Sequence, residues 1–195
     1  MSERAVTVVG TNVLLNLATP VVDGRPTAPS GGDPLKTLLT AYDIHIPASV
    51  LGEVTDATAD DDLLAAAADL VLQAANHVTT HEVEDRADES LDYGLDQGEV
   101  EGVWLANELE ADLFITDEFN TTNYLFITLA LDDRNTLFTT PHILCMLATY
   151  EILAVEYVDA ALSYYVETKG RDAQYVAQLR QHHLDTARES RPARE

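Results

Sequence analysis

Short apolar runs rich in β-branched residues recur between longer helix-forming stretches, and that alternation points to a parallel sheet with helices on its faces. Ala-Val-Thr-Val-Val at 5–9 reads as a buried strand. Residues 44–47, 78–83, 113–115 and 137–138 supply four more short strands. One helix is expected from Pro34 to about Tyr42, with Asp33 as cap and proline in the first position. Others follow from Ser49, read as a cap, to about Ala57, from Asp60-Asp61-Asp62 to about Asn76, from about Gly98 to Glu110, and from about Thr121 to Leu131. Val13–Leu17 is ambiguous but short enough for a helical turn. Residues 19–34 hold four of the seven prolines and read as a loop, as does the acidic stretch 84–94.

After Pro141 the chain reads as helical. Val155 to about Thr168 and Asp172 to about His183 are separated by Gly170, a C-terminal stop. The expected fold class is α/β: three layers, a mostly parallel central sheet flanked by helices, and extra C-terminal helices. The expected organisation is a core domain over 1–155, a helical extension over 156–186 packed on it, and a disordered polar tail over 187–195.

Charge is the unusual bulk property. Asp and Glu number 34 against 11 Lys and Arg, a net of −23, and only Lys36 and Lys169 are lysines. Such a surface repels itself in dilute buffer. In molar salt the Debye length shrinks to roughly 3 Å and the repulsion is screened. The acids are scattered rather than gathered in a tail, so the reading is a halophilic protein from a salt-rich cytoplasm. The alternative is an acidic protein that binds cationic partners. Charge alone does not exclude nucleic acid, because counterion-release binding is weak for every protein in molar salt. No apolar run approaches a membrane span, and the start of the chain lacks a signal-peptide pattern, so a cytoplasmic protein with no membrane partner is expected. A lone Cys145 excludes an internal disulfide and a multi-cysteine zinc site.

In open parallel sheets, ligands bind beyond the carboxyl ends of the strands. Gly10, Thr11 and Asn12 follow the first strand, Glu53 lies on the helix after the second, and Asp117 and Glu118 follow the fourth, with Asn120 just beyond. Glu99 and Glu101 open the helix that leads into that fourth strand. Carboxylates brought together repel unless protonated or bound to a cation. Hard oxygen ligands without cysteine suit Mg²⁺ or Mn²⁺.

These strings resemble the PIN-domain family of metal-dependent ribonucleases. Val8-Val9-Gly10-Thr11-Asn12-Val13-Leu14-Leu15 looks like its opening strand and turn, and Ile46-Pro47-Ala48-Ser49-Val50-Leu51-Gly52-Glu53-Val54 like its second motif. Gly98-Glu99-Val100-Glu101 resembles the Gly-Glu start of its central helix, and Phe114-Ile115-Thr116-Asp117-Glu118 the acidic turn after the next strand. The likeness covers roughly residues 5–155. It implies a PIN-like endoribonuclease that hydrolyses RNA phosphodiesters with Mg²⁺ or Mn²⁺, the ions polarising the phosphodiester and activating a water. Glu53, Glu99 and Asp117 would be the metal ligands and catalytic acids, with Glu118 assisting or replacing Asp117. Thr11, Asn12 and Asn120 would contact substrate. One departure stands out: the family carries an Asp where this chain has Gly10, which weakens the implied metal site. That loss motivates an alternative, a catalytically inactive PIN-like module binding RNA or a protein partner. Many such proteins are toxins of toxin–antitoxin pairs, so an antitoxin-like protein is a further partner expectation, beside a homodimer; Tyr164 and Tyr165 read as covering a helix-helix contact, with a dimer as the other option.

Each residue also has a plainer reading. Any one Glu is more often salt adaptation than ligand, Glu99 and Glu101 could complement a helix N-terminus, and Asp117 could cap a helix. Thr11 and Asn12 suit a turn as well as a substrate. His142 and Cys145 read as a packed helix face, His182 and His183 as exposed tail, and Trp104 and Phe114 as core. Arg171, Arg180, Arg188, Arg191 and Arg194 locally reverse the sign of the charge. They read as a solvated helix and tail, with RNA phosphate or a neighbouring acidic subunit as the other option.

Overall fold

The computed structural model describes residues 4–25, 32–83, 95–117, 121–132 and 136–185. Five strands, β1 (Val6–Val9), β2 (Asp43–Pro47), β3 (Thr79–His81), β4 (Leu113–Ile115) and β5 (Thr136–Phe138), form one sheet in the order β3-β2-β1-β4-β5. Every pairing is parallel, with Val8 opposite both His45 and Phe114. The fold is therefore α/β, as the alternating pattern predicts. Side chains alternate across the sheet: Val9, Ile44, Ile46 and Ile115 face one core, Val8 and Phe114 the other.

The larger core is closed by α1 (Thr11–Val22), α2 (Pro34–Ala41), α3 (Ala48–Asp56), α4 (Leu63–Gln73), α7 (Thr140–Thr149), α8 (Val155–Lys169) and α9 (Ala173–Leu179). The smaller is closed by α5 (Gln97–Glu108) and α6 (Thr121–Ala130). Asp33 and Asp62 cap α2 and α4 by accepting the Lys36 and Ala65 amides, each at 2.9 Å. Gly170 ends α8 in the left-handed region at φ 63, where glycine carries no penalty.

Several local expectations need correction. The loop expected from residue 19 begins later, because α1 continues through Pro20 to Val22. Proline lacks the amide that would bond the Asn16 carbonyl. The Tyr165 hydroxyl donates to that carbonyl at 2.8 Å instead, so the helix keeps its acceptor satisfied. Ser49 is not a cap: Pro47 occupies that position and α3 begins at Ala48. The alanine-rich helix stops at Gln73 and passes through a 3-10 turn at Ala75–His77. The last helix ends at Leu179 and widens into a π-helical turn, Arg180–Asp185. The acidic loop 84–94, Glu118, Asn120 and the tail arginines Arg188, Arg191 and Arg194 lie outside the described residues. Among the described residues no helix is long and apolar enough to cross a membrane.

Candidate active site

The carboxyl edge of the sheet gathers the motif residues because three elements open there. Gly10 leaves β1 with φ −82 and ψ 162, and its amide donates to the Ile115 carbonyl at 3.0 Å, which ties the exit of β1 to the end of β4. Thr11 and Asn12 are then the first residues of α1. Pro47 ends β2 and passes directly into α3, whose second turn carries Glu53. Leu95 and Asp96 lead into α5, which opens with a capping box. Asp96 Oδ1 accepts the Glu99 amide at 2.9 Å, and Glu99 Oε2 accepts the Asp96 amide at 3.0 Å.

These segments line a notch of about 30 Å³ that includes Gly10, Thr11, Asn12, Glu53, Asp96 and Glu99. That volume suits one water or a bare cation. The Thr11 hydroxyl donates to Glu53 Oε2. Gly98 is what lets the Glu53 carboxylate lie against the start of α5, since a Cβ there would sit 2.7 Å from Glu53 Oε1. Burial pushes the Glu53 carboxyl above its ordinary range; the Thr11 hydrogen bond opposes this, and Asp96, Glu101 and Asp56 add repulsion. Glu99 is buried at 7% exposure.

On the far side of Glu53 lies a wider concavity of about 370 Å³, lined by Ser49, Asp56, Glu82, Gln97 and Glu101 among others. Glu101 is 3% exposed. It accepts the Ser49 hydroxyl and, at 2.7 Å, the Gln97 side-chain amide. Glu53 thus separates two acidic hollows on one edge.

Asp117 is engaged differently. Its Oδ1 accepts the Thr140 amide at 2.9 Å, and its Oδ2 accepts the Thr140 hydroxyl at 2.5 Å and the Asn16 side-chain amide at 2.6 Å. Arg171, in the α8–α9 turn, places a guanidinium nitrogen 2.8 Å from the same Oδ2, and the Asp117 side chain is only 1% exposed. Asp117 accepts the first amide of α7, whose N-cap is Thr139; the plainer reading of Asp117 as a cap for the helix near Asn120 falls on residues outside the described ones. Arg171 is turned inward, with 15% of its side chain exposed, whereas Arg180 keeps 31% exposed while it bonds Asp159 at 2.7 Å and the Ser163 hydroxyl at 2.6 Å.

The structure thus brings Thr11, Asn12, Glu53 and Glu99 together and leaves Asp117 bound to protein groups beside them. Glu118 and Asn120 are not described. Asp96, Asn16 and Arg171 were not singled out as site residues from sequence. Only Asp96 had a local signal, the Asp-x-x-Glu cap pattern. Among the remaining expectations, Phe114 and Cys145 are buried, while His183 stacks near His142, with ring centroids 5.2 Å apart, instead of lying in an exposed tail.

Oxygen donors of Glu53 and Glu99 have the right chemistry for Mg²⁺ or Mn²⁺. Their number is small: among the described residues no group of three or more His, Cys, Asp or Glu is arranged to hold a metal ion. Such a donor pair fits Mg²⁺, which is commonly held by one or two carboxylates completed by water and substrate phosphate. Compared with family models, curated proteins and solved structures, the chain gives no match.

Proposed function

We propose that this chain is a PIN-like, divalent-cation-dependent endoribonuclease with a reduced ligand set. The observation that carries the reading is the convergence of Glu53 and Glu99, from separate motifs, on the notch that Thr11 and Asn12 border. Glu53 and Glu99 would hold Mg²⁺ or Mn²⁺, and when bound the ion would polarise a phosphodiester and acidify a water. Thr11 steadies the Glu53 carboxylate. Asn12, at the start of α1, borders the place where a phosphate oxygen would lie. An acidic mouth without a cation repels RNA, so ion and substrate would enter together.

The test is cleavage of single-stranded and structured RNA in molar potassium chloride with Mn²⁺. The reading expects slow cleavage that chelation abolishes and that Glu53→Gln and Glu99→Gln each remove. Cleavage that survives chelation, or no cleavage of either RNA, would overturn it. Gly10 in place of an acid, together with the engagement of Asp117, favours a second reading: a catalytically inactive module of the same fold that binds RNA or protein.

A further inference from the structure

Asp117 follows β4 at the edge where Glu53 and Glu99 meet, yet it contributes its charge to a different contact. Asn12 borders the notch and Asn16 bonds Asp117 at 2.6 Å. These two residues sit on one face of α1, four residues, or about 6 Å of axial rise, apart. Thr116, next to Asp117 in the chain, lines the notch itself. Asp117 is therefore next to the acidic site in the chain, yet its carboxylate is engaged by Thr140 at the start of α7, by Asn16 and by Arg171. Arg171 comes from beyond α8, in the C-terminal extension, and its side chain is 15% exposed. A guanidinium at 2.8 Å neutralises a carboxylate as a metal ion would, and it cannot lose its charge by deprotonation.

We propose that Arg171 is the resident counter-charge of Asp117 and withholds that carboxylate from the cation site, so that the C-terminal extension sets how tightly the site can hold a divalent ion. The inference rests on the reading of Glu53 and Glu99 as cation-holding residues. It makes Arg171 a positioning residue: it touches neither substrate nor ion, and acts through Asp117. Removing the guanidinium leaves an anionic oxygen donor without its cation on the residue that follows notch-lining Thr116, and ion affinity rises with the number of charged ligands.

The experiment is calorimetric titration of the full chain with Mn²⁺ in molar potassium chloride. Wild type, Glu53→Gln, Asp117→Asn, Arg171→Gln and the Arg171→Gln/Asp117→Asn pair are compared, each checked by circular dichroism. Expected are weak binding by wild type, loss in Glu53→Gln, and wild-type affinity in Asp117→Asn. Arg171→Gln should gain about tenfold in affinity for its extra carboxylate ligand, and the pair should lose that gain. If Arg171→Gln binds like wild type while Glu53→Gln loses the ion, the inference falls and the functional reading stands. If Asp117→Asn loses the ion as fully as Glu53→Gln, Asp117 is a ligand already and the inference falls as well; this comparison holds even if Arg171→Gln does not fold. If wild type and Glu53→Gln are equally unable to bind Mn²⁺, the functional reading fails and the inference fails with it.

Discussion

The two ends of the acidic edge differ in what balances their charge. Glu53 stands at the open lip of two hollows, steadied by the Thr11 hydroxyl and crowded by Asp96, Glu101 and Asp56, with its carboxyl pushed up by burial and repulsion. Asp117 is enclosed, with the Thr140 amide and hydroxyl, the Asn16 amide and the Arg171 guanidinium all directed at it. Both follow strands of the same sheet and both read as ligands in sequence. Position at a strand end brings a carboxylate to the edge, and the nearest cation decides whether its charge is balanced within the fold. At the Asp117 end the same segment of α1 is fixed twice, because the Asn16 carbonyl that Pro20 leaves without a helical donor is taken by Tyr165.

The sharpest way to break this contrast is to remove the Arg171 charge. Arg171→Met leaves a buried carboxylate uncompensated and should cost about 3–5 kcal/mol in denaturant unfolding. Adding Asp117→Asn should recover most of that loss. A cost for Arg171→Met below about 1 kcal/mol, the level of a surface pair, would mean the enclosed end is no keystone. Next in size is Tyr165→Phe, which leaves the Asn16 carbonyl without its donor and should cost about 1–3 kcal/mol. The loss should shrink in a Pro20→Ala background, where residue 20 regains an amide to offer. Equal losses in both backgrounds would refute that account of Pro20.

Acid should act on His142 and on Glu53 with opposite sign. Burial, then His183 and His182, holds His142 down from 6.5 to about 4, so it is neutral in the fold. The unfolded chain binds that proton more readily, so this contribution is fully present above pH 6.5 and is lost as pH falls toward about 4. Denaturation midpoints between pH 7 and 5 should fall for this reason, and His142→Gln should flatten the slope. The smallest effect belongs to Glu53. Its raised folded value means the charged form costs stability above that value, a cost lifted as pH falls toward 4.5. Glu53→Gln should therefore be neutral to slightly stabilising in melts at pH 7, with the advantage gone in acid. A marked destabilisation would instead make Glu53 a structural acid like Asp117.

Much of the fold is legible because it is written locally. β-branched runs at 6–9 and 43–47, the Asp33-Pro34 start and the Gly170 stop depend on neighbours in the chain. The errors arise where a distant group intervenes. Pro20 signals a break, and only Tyr165, far along the chain, explains why α1 continues. Ser49 reads as a cap because its residue type suits one; its hydroxyl is instead committed to Glu101. At the edge, the convergence of Glu53 and Glu99 follows from strand order. The partner of Asp117 does not, because nothing around Arg171 in the sequence marks it as turned inward.

The most direct test of the whole account restores the acid that Gly10 lacks. At φ −82 any residue is unstrained, and a Cβ there meets the Ile115 carbonyl at 3.7 Å and the Thr116 hydroxyl at 3.8 Å, ordinary contact distances. Asp at this position borders the Glu53–Glu99 notch. Gly10→Asp should raise the rate of Mn²⁺-dependent RNA cleavage several-fold over wild type, with the gain abolished by Glu53→Gln. Cleavage no faster than wild type in a folded, Mn²⁺-saturated Gly10→Asp protein would contradict it.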